Sequence, residues 1–389
     1  MKTIIFCADG TWNGVNVDDD QDGVPDLTNV RHFFDALAGD YRKDQIHLQN
    51  EQETQLIKDG KTVQVAKYLH GVGDSRNPIT KLFEGAVGAG VVQRIVRGYT
   101  FISRNYQPGD QIVLVGFSRG AYTARALGGL ICSEGLLREN EYDWEEEHGR
   151  EEAYSAGSLV WRRYRERAAK NLSSRVKLAD ALGNLPSWLR YLSGEKITTN
   201  EIDKIAAIGV WDTVGAMGIP RLDGQGRTVD AYRFADAVLN RKVQYGLHAI
   251  AADEKRMLFT PCLWEPREGV RQVLFAGAHA DVGGGYPKKE SELSKAPLRW
   301  MMTRLQDIVP LRFSEQLPIA NPAALPLHDE TSHPLFKGGA QWRTFSSSSQ
   351  LRVHQSLQDR MNALKNYDPK HLAPSYFDPN KAVFSPIET

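Results

Sequence analysis

The chain has 389 residues, of which 41% are hydrophobic, 25% charged and 9% aromatic, the usage of a globular protein with a large core. Its 48 Lys and Arg balance 48 Asp and Glu, and a formal net charge of zero argues against nucleic-acid binding, which needs a basic surplus to displace counterions. Three scattered cysteines, Cys7, Cys132 and Cys262, suggest neither a disulfide framework nor a Cys-x-x-Cys zinc pair and read as reduced thiols.

Thr3–Ala8 is a continuous apolar run, the pattern of a strand buried on both faces. It meets Asp9 at once, too soon for a signal peptide's apolar region, and no later stretch approaches the ~18 apolar residues of a membrane span. The expectation is cytoplasmic synthesis, with any export left to a machine that needs no signal peptide. Past this strand, Asp18, Asp20, Asp22 and Asp26 fall at positions 1, 3, 5 and 9 of a loop with Gly23 at position 6 and the Val24 carbonyl behind it. Such spacing can wrap oxygens around a structural Ca²⁺, although Asn29 stands where a full EF-hand loop has glutamate. A solvated acidic loop is the competing reading.

Val30, Phe33, Phe34 and Leu37 repeat at helical spacing behind the capping pair Thr28-Asn29. Val91, Val92, Ile95, Tyr99 and Ile102 predict a second helix, ended by Gln107-Pro108-Gly109-Asp110. Gln111–Val115 is the next strand, and Ala121–Leu130 a small-residue helix directly behind it. Residues 135–204 are rich in Glu, Arg, Trp and Tyr and look mainly helical, which predicts an insertion over the carboxyl edge of the sheet, a lid. Within it Leu159–Arg167 mixes basic and aromatic residues; an ordinary packed helix competes with one that makes transient contact with an anionic membrane surface. Ile205–Trp211 and Gln272–Ala276 are the remaining strands, and the Pro-, Ser- and His-rich tail after Pro310 carries no clear element. Alternating strands and helices mean an open, mostly parallel α/β sheet covered on both faces, so residues 1–389 read as one domain, although about 150 residues per domain would allow two or three.

Between the strand at 111 and the helix at 121 lies Gly116-Phe117-Ser118-Arg119-Gly120. A Gly-x-Ser-x-Gly turn in a strand–turn–helix context is a nucleophile elbow: it lifts the Ser118 hydroxyl above the sheet and aims the Arg119 N–H at a developing oxyanion. The loop Asp9-Gly10-Thr11 after the first strand offers the second donor, from Gly10 or Thr11. A serine needs a base and an orienting carboxylate, which in this fold follow in the order Ser, acid, His, each just past a strand. Asp212 follows Trp211, and His279 follows Ala278. Rivals remain: Asp212 as a helix cap, Asp281 as the acid, His354 or His248 as the base. A separate reading takes Asp9-Gly10-Thr11 as the remnant of an aspartyl phosphatase motif, but Cys7 stands where its nucleophilic aspartate belongs. A non-catalytic binding or delivery module on the same scaffold is the alternative from another class.

Ala8–Asn13, Thr28–Val30, Gly71–Gly73, Gly116–Arg125, Gly209–Gly215 and Gly277–Tyr286, taken in order, resemble the successive blocks of one α/β-hydrolase family. That family includes the catalytic domain of the first class of type VI secretion lipase effectors. The resemblance implies a phospholipase or related ester hydrolase with Ser118 as nucleophile, His279 as base and Asp212 as its orienter, and no cofactor for the chemistry. It also implies a lipid or other ester substrate, antibacterial use in some members, delivery by a type VI secretion system, and a secretion-machinery or immunity partner. His70, ahead of Gly71-Val72-Gly73, departs from the pattern.

Overall fold

The computed structural model describes residues 1–10, 22–42, 51–71, 86–168, 197–214, 221–222, 228–229, 237–256, 259–316, 318–319, 321, 327–329, 331, 341–345, 349–367, 369 and 372. Among the described residues nine strands form the central sheet: β1 (Thr3–Ala8), β2 (Asp40–Tyr41), β3 (Glu51–Lys58), β4 (Lys61–Leu69), β5 (Gln111–Phe117), β6 (Ile205–Trp211), β7 (Val243–Ala251), β8 (Val270–Phe275) and β9 (Arg352–Val353). Their order is β9-β8-β7-β6-β5-β1-β4-β3-β2. Every pairing from β9 to β4 is parallel, and the pairings β4–β3 and β3–β2 at one edge are antiparallel. This is the α/β sheet read from the sequence.

The alternation along β1 shows how the sheet is covered. Ile4, Phe6 and Ala8 face a core shared with α2 (Ala86–Asn105) and α3 (Arg119–Glu134). Ile5 and Cys7 face the opposite core, filled by α1 (Asn29–Ala36) through Val30, Phe33 and Phe34 and by a later helix, Lys295–Ile308, through Trp300, Met301 and Leu305. Burial on both faces is why the central strands lack a polar side.

The described part of the insertion packs against one face of the sheet. Its helix α4 (Glu147–Ala168) buries Ala153, Ala156, Val160 and Tyr164, a stripe at helical spacing, in the core that α2 and α3 form, so this helix makes an outer layer. Trp161 is buried too, Arg163 and Arg167 pair with Glu134, and the membrane-facing reading of 159–167 gives way to the packed-helix one. The insertion also contains strand, since Leu136–Leu137 pairs antiparallel with Thr199–Asn200. Residues 169–196 lie outside the described residues.

Candidate active site

Register brings the carboxyl ends of the central strands level. Ala8 pairs with Gly116, Phe117 with Trp211, and Trp211 with Ala249. Asp9, Ser118 and Asp212 therefore emerge side by side at one edge of the sheet, the place where parallel α/β folds gather their ligands. α5 (His279–Gly283), the helix opened by His279, lies just beyond the end of β8.

Ser118 sits in the elbow with φ +55 and ψ −120, backbone angles that an L-residue adopts only where its surroundings enforce them. The enforcement comes from close packing. A Cβ on Gly116 would lie 2.4 Å from the Gly120 carbonyl oxygen, and one on Gly120 would lie 2.0 Å from that of Ala8. Only hydrogen fits at either position, so strand and helix pass close enough to drive Ser118 into its strained turn. The Ser118 N–H donates to the Trp211 carbonyl at 3.1 Å, tying the elbow to the residue before Asp212. Arg119 opens α3, where first-turn N–H groups have no carbonyl partner within the helix. Burial first, and then the Arg94 cation, push the Arg119 guanidinium down to about 9.

Asp212 also has positive φ, +37, and is fully buried. Its Oδ2 lies 2.6 Å from His279 Nδ1. An ionised carboxylate only accepts, so Nδ1 carries the proton and Nε2 is left free to take one. The Ala251 N–H donates to Asp212 Oδ1 at 2.9 Å. Arg343, to which no sequence pattern points, donates from Nη1 to Oδ1 at 2.7 Å and from Nη2 to Oδ2 at 2.9 Å. Burial alone would raise the Asp212 pKa; the Arg343 cation and the hydrogen bonds from His279 and Arg343 outweigh it and hold the carboxyl well below the usual range.

His279 is gripped on all sides. Its backbone N–H donates to Glu254 Oε2 at 3.1 Å, and Arg256 in turn holds Glu254 through bonds of 2.8 and 2.7 Å. The Phe117 ring lies 4.6 Å and the Phe259 ring 4.8 Å from its imidazole. Burial lowers its pKa although Asp212 pulls the other way.

The rival bases sit elsewhere in the chemistry. His248 is buried, accepts the Thr213 N–H on Nε2 at 3.1 Å, and is pushed down to about 3 by burial and by Arg125. It is a neutral packing residue. His354 caps the helix Gln355–Ala363, accepting the Ser356 N–H at 3.1 Å, and stacks on Phe275. Asp281 fixes its own loop, accepting from the Ala278 N–H at 2.9 Å and from His328 Nδ1 at 2.7 Å, and His328 is a second partner the sequence did not disclose.

The loop after β1 corrects one detail. Asp9 Oδ1 takes the Gly10 N–H at 2.6 Å, so this amide is spent on the neighbouring carboxylate instead of an oxyanion. Gly10 does supply close approach: a Cβ there would stand 3.6 Å from that of Ser118. Asp9 Oδ2 accepts from Tyr68 and Thr28, at 2.6 and 2.7 Å, which makes Asp9 a buried loop anchor and not the exposed nucleophile a phosphatase needs. Thr11 lies outside the described residues, as do Asp18 and Asp20 of the expected calcium loop. Asp22 accepts the Val24 N–H at 2.9 Å, and Asp26 is buried. Among the described residues no group of three or more His, Cys, Asp or Glu could hold a metal ion, and no helix is long and apolar enough to cross a membrane. Among the described residues Cys7, Cys132 and Cys262 form no disulfide.

A doubly covered parallel sheet, a strained serine at a strand-to-helix turn and a buried Asp–His pair past the following strands define an α/β-hydrolase-like protein. The family model described as "T6SS, Phospholipase effector Tle1-like, catalytic domain" matches residues 2–304, and the chain belongs to that family. A curated relative from Saccharomyces cerevisiae, "Uncharacterized protein YEL023C", is 24% identical over 272 residues, covering 68% of this chain and 34% of the relative. Two solved structures are similar. One is an uncharacterized protein from Pseudomonas aeruginosa (TM-score 0.43, 16% identity, 80% of this chain and 46% of that one). The other is the Tle1 effector bound to the VgrG spike of the type 6 secretion system (TM-score 0.38, 18% identity, 75% and 52%). The chain thus spans about a third of the length of its curated relative and about half of each solved chain.

Proposed function

We propose that the chain is a serine hydrolase that cleaves carboxylic ester bonds of phospholipids through an acyl-enzyme on Ser118. The observation that carries this reading is the 2.6 Å Asp212–His279 contact beside the strained Ser118 turn. His279 Nε2 takes the Ser118 hydroxyl proton as Oγ attacks the acyl carbonyl. Asp212 keeps the imidazole in the required tautomer and stabilises the imidazolium. The negative charge on the carbonyl oxygen falls to the Arg119 N–H at the start of α3. His279 returns the proton to the leaving alcohol, and a water activated by the same imidazole releases the fatty acid. Membership of a type VI effector family extends the proposal to delivery by that system and to partners within it.

The test is labelling with a fluorophosphonate followed by product analysis on bacterial phospholipid vesicles. The folded protein should carry the adduct on Ser118 and release free fatty acid, and Ser118→Ala should lose turnover by about 10⁴-fold or more with its melting curve unchanged. Fatty-acid release that survives Ser118→Ala sinks the proposal.

A further inference from the structure

Arg343 stands 39 positions beyond residue 304, where the family match ends. It is buried, and two of its nitrogens are fully committed: Nη1 to Asp212 Oδ1 at 2.7 Å and the Ala251 carbonyl at 2.8 Å, Nη2 to Asp212 Oδ2 at 2.9 Å and the Phe259 carbonyl. Two parallel N–H groups on two carboxylate oxygens make the fork that lysine cannot reproduce. The fork defines the plane of the carboxylate, and with it the direction from which Oδ2 meets His279 Nδ1. The two carbonyls that anchor the guanidinium belong to the end of β7 and to Phe259, whose ring packs edge-on against the same imidazole. One side chain thus braces the acid, the strand beside it and the wall behind the base.

We propose that Arg343 is a positioning residue for the hydrolysis, so that the catalytic region of this chain is completed by a side chain from outside the family-matched span. The inference rests on the Ser118–His279–Asp212 reading above. Arg343 would act in two ways. It keeps Asp212 ionised in a buried place, where a carboxylate alone would take a proton. Its cation also weakens the hold of the Asp212–His279 pair on an extra proton, so that the base is free at lower pH. Among the described residues the other charged groups that bear on the pair are Glu254 and Arg256 behind the His279 backbone, with Arg125 acting on His248 beside Asp212. All of these remain when Arg343 is replaced.

The experiment compares the full chain with Arg343→Gln and Arg343→Lys, reading kcat, KM and the pH profile of kcat/KM on p-nitrophenyl butyrate, with circular dichroism melts and fluorophosphonate labelling of Ser118 alongside. In Arg343→Gln kcat should fall by about tenfold or more while KM changes by less than about threefold, because the lost interaction orients the base and does not bind substrate. The acid limb should move up by about one pH unit, since removing a neighbouring cation strengthens proton binding to the pair as a whole. Added guanidinium should restore part of the rate. Arg343→Lys keeps the charge and loses the fork, so its acid limb should stay in place while kcat still drops. Should Arg343→Gln not fold, the lysine variant decides: wild-type kcat in a folded Arg343→Lys overturns the proposal, as does an unmoved kcat and acid limb in a folded Arg343→Gln. If the wild-type chain takes no adduct on Ser118, the triad reading has failed instead.

Discussion

Asp9 and Asp212 occupy matching places in the two regions that flank the Ser118 turn. Each is the first residue past a central strand, each is closed off from solvent, and each accepts at least three hydrogen bonds. They titrate in opposite directions. Burial pushes Asp9 up to about 6 despite donors from Tyr68, Thr28 and Gly10, while Asp212 stays far below the usual carboxylate range. The difference is the cation. Arg94 spends its Nη2 on the Asp9 and Leu69 carbonyl oxygens and offers the Asp9 carboxylate only its charge, whereas Arg343 locks both oxygens of Asp212. Neutral donors do not offset desolvation of a carboxylate here; a forked guanidinium does.

The largest effect expected from breaking that contrast is on turnover. Asp212→Asn should lower kcat on the order of 10⁴-fold, because the amide lets His279 settle in the wrong tautomer and leaves Arg343 without its anion. Steady-state kinetics on an ester substrate checks it, and Asp9→Asn should fall far short of that loss.

The next effect is on stability against pH. The folded-state pKa of Asp9 lies above its unfolded value, so the folded chain holds that proton more tightly, and the stability gained below about pH 4 is lost as pH rises through about 6. The shift amounts to about 3 kcal/mol, and chemical denaturation between pH 4 and 7 should show that slope in the wild type and lose it in Asp9→Asn. Asp212 runs the other way: its folded-state pKa is depressed, so its contribution is complete above about pH 4 and fades only as pH falls below that. A wild-type slope in Asp9→Asn would assign the transition to another group.

The smallest effect concerns the junction of Asp9 with α1. Thr28 caps that helix, accepting the Arg31 N–H at 3.1 Å, and its hydroxyl donates to Asp9. Thr28→Ala should cost about 1 kcal/mol by thermal or chemical melting.

The central strands and the elbow were legible because their signals are local. β1 and β6 have the bounds that their apolar runs predict, and the turn at Gly116–Gly120 announces itself by its glycines. The sheet edge was not. Glu51, Glu53 and Lys67 are buried in one ion-pair cluster inside β3 and β4, so a hairpin that is fully paired reads as a polar stretch. β7 hides behind Gly246 and His248, which interrupt its apolar run. The packing of α4 was not legible either, because composition shows that a segment is helical and not which face it buries. Arg343 escaped for a further reason: a side chain that serves another through space leaves no spacing to find, and Gln341-Trp342-Arg343 matches no motif.

The Asp212–Arg343 bond joins residues 131 positions apart, and the His279–Asp212 bond joins residues 67 apart. Synthesis proceeds from the amino terminus at about 5–20 residues per second, so for several seconds a growing chain holds Ser118, Asp212 and His279 but not Arg343. During that interval the Asp212 carboxylate has no forked cation beside it, and burying it as an ion is costly. The strand ends around it are then most stable open to water. Folding of this corner therefore waits for the segment that carries Arg343.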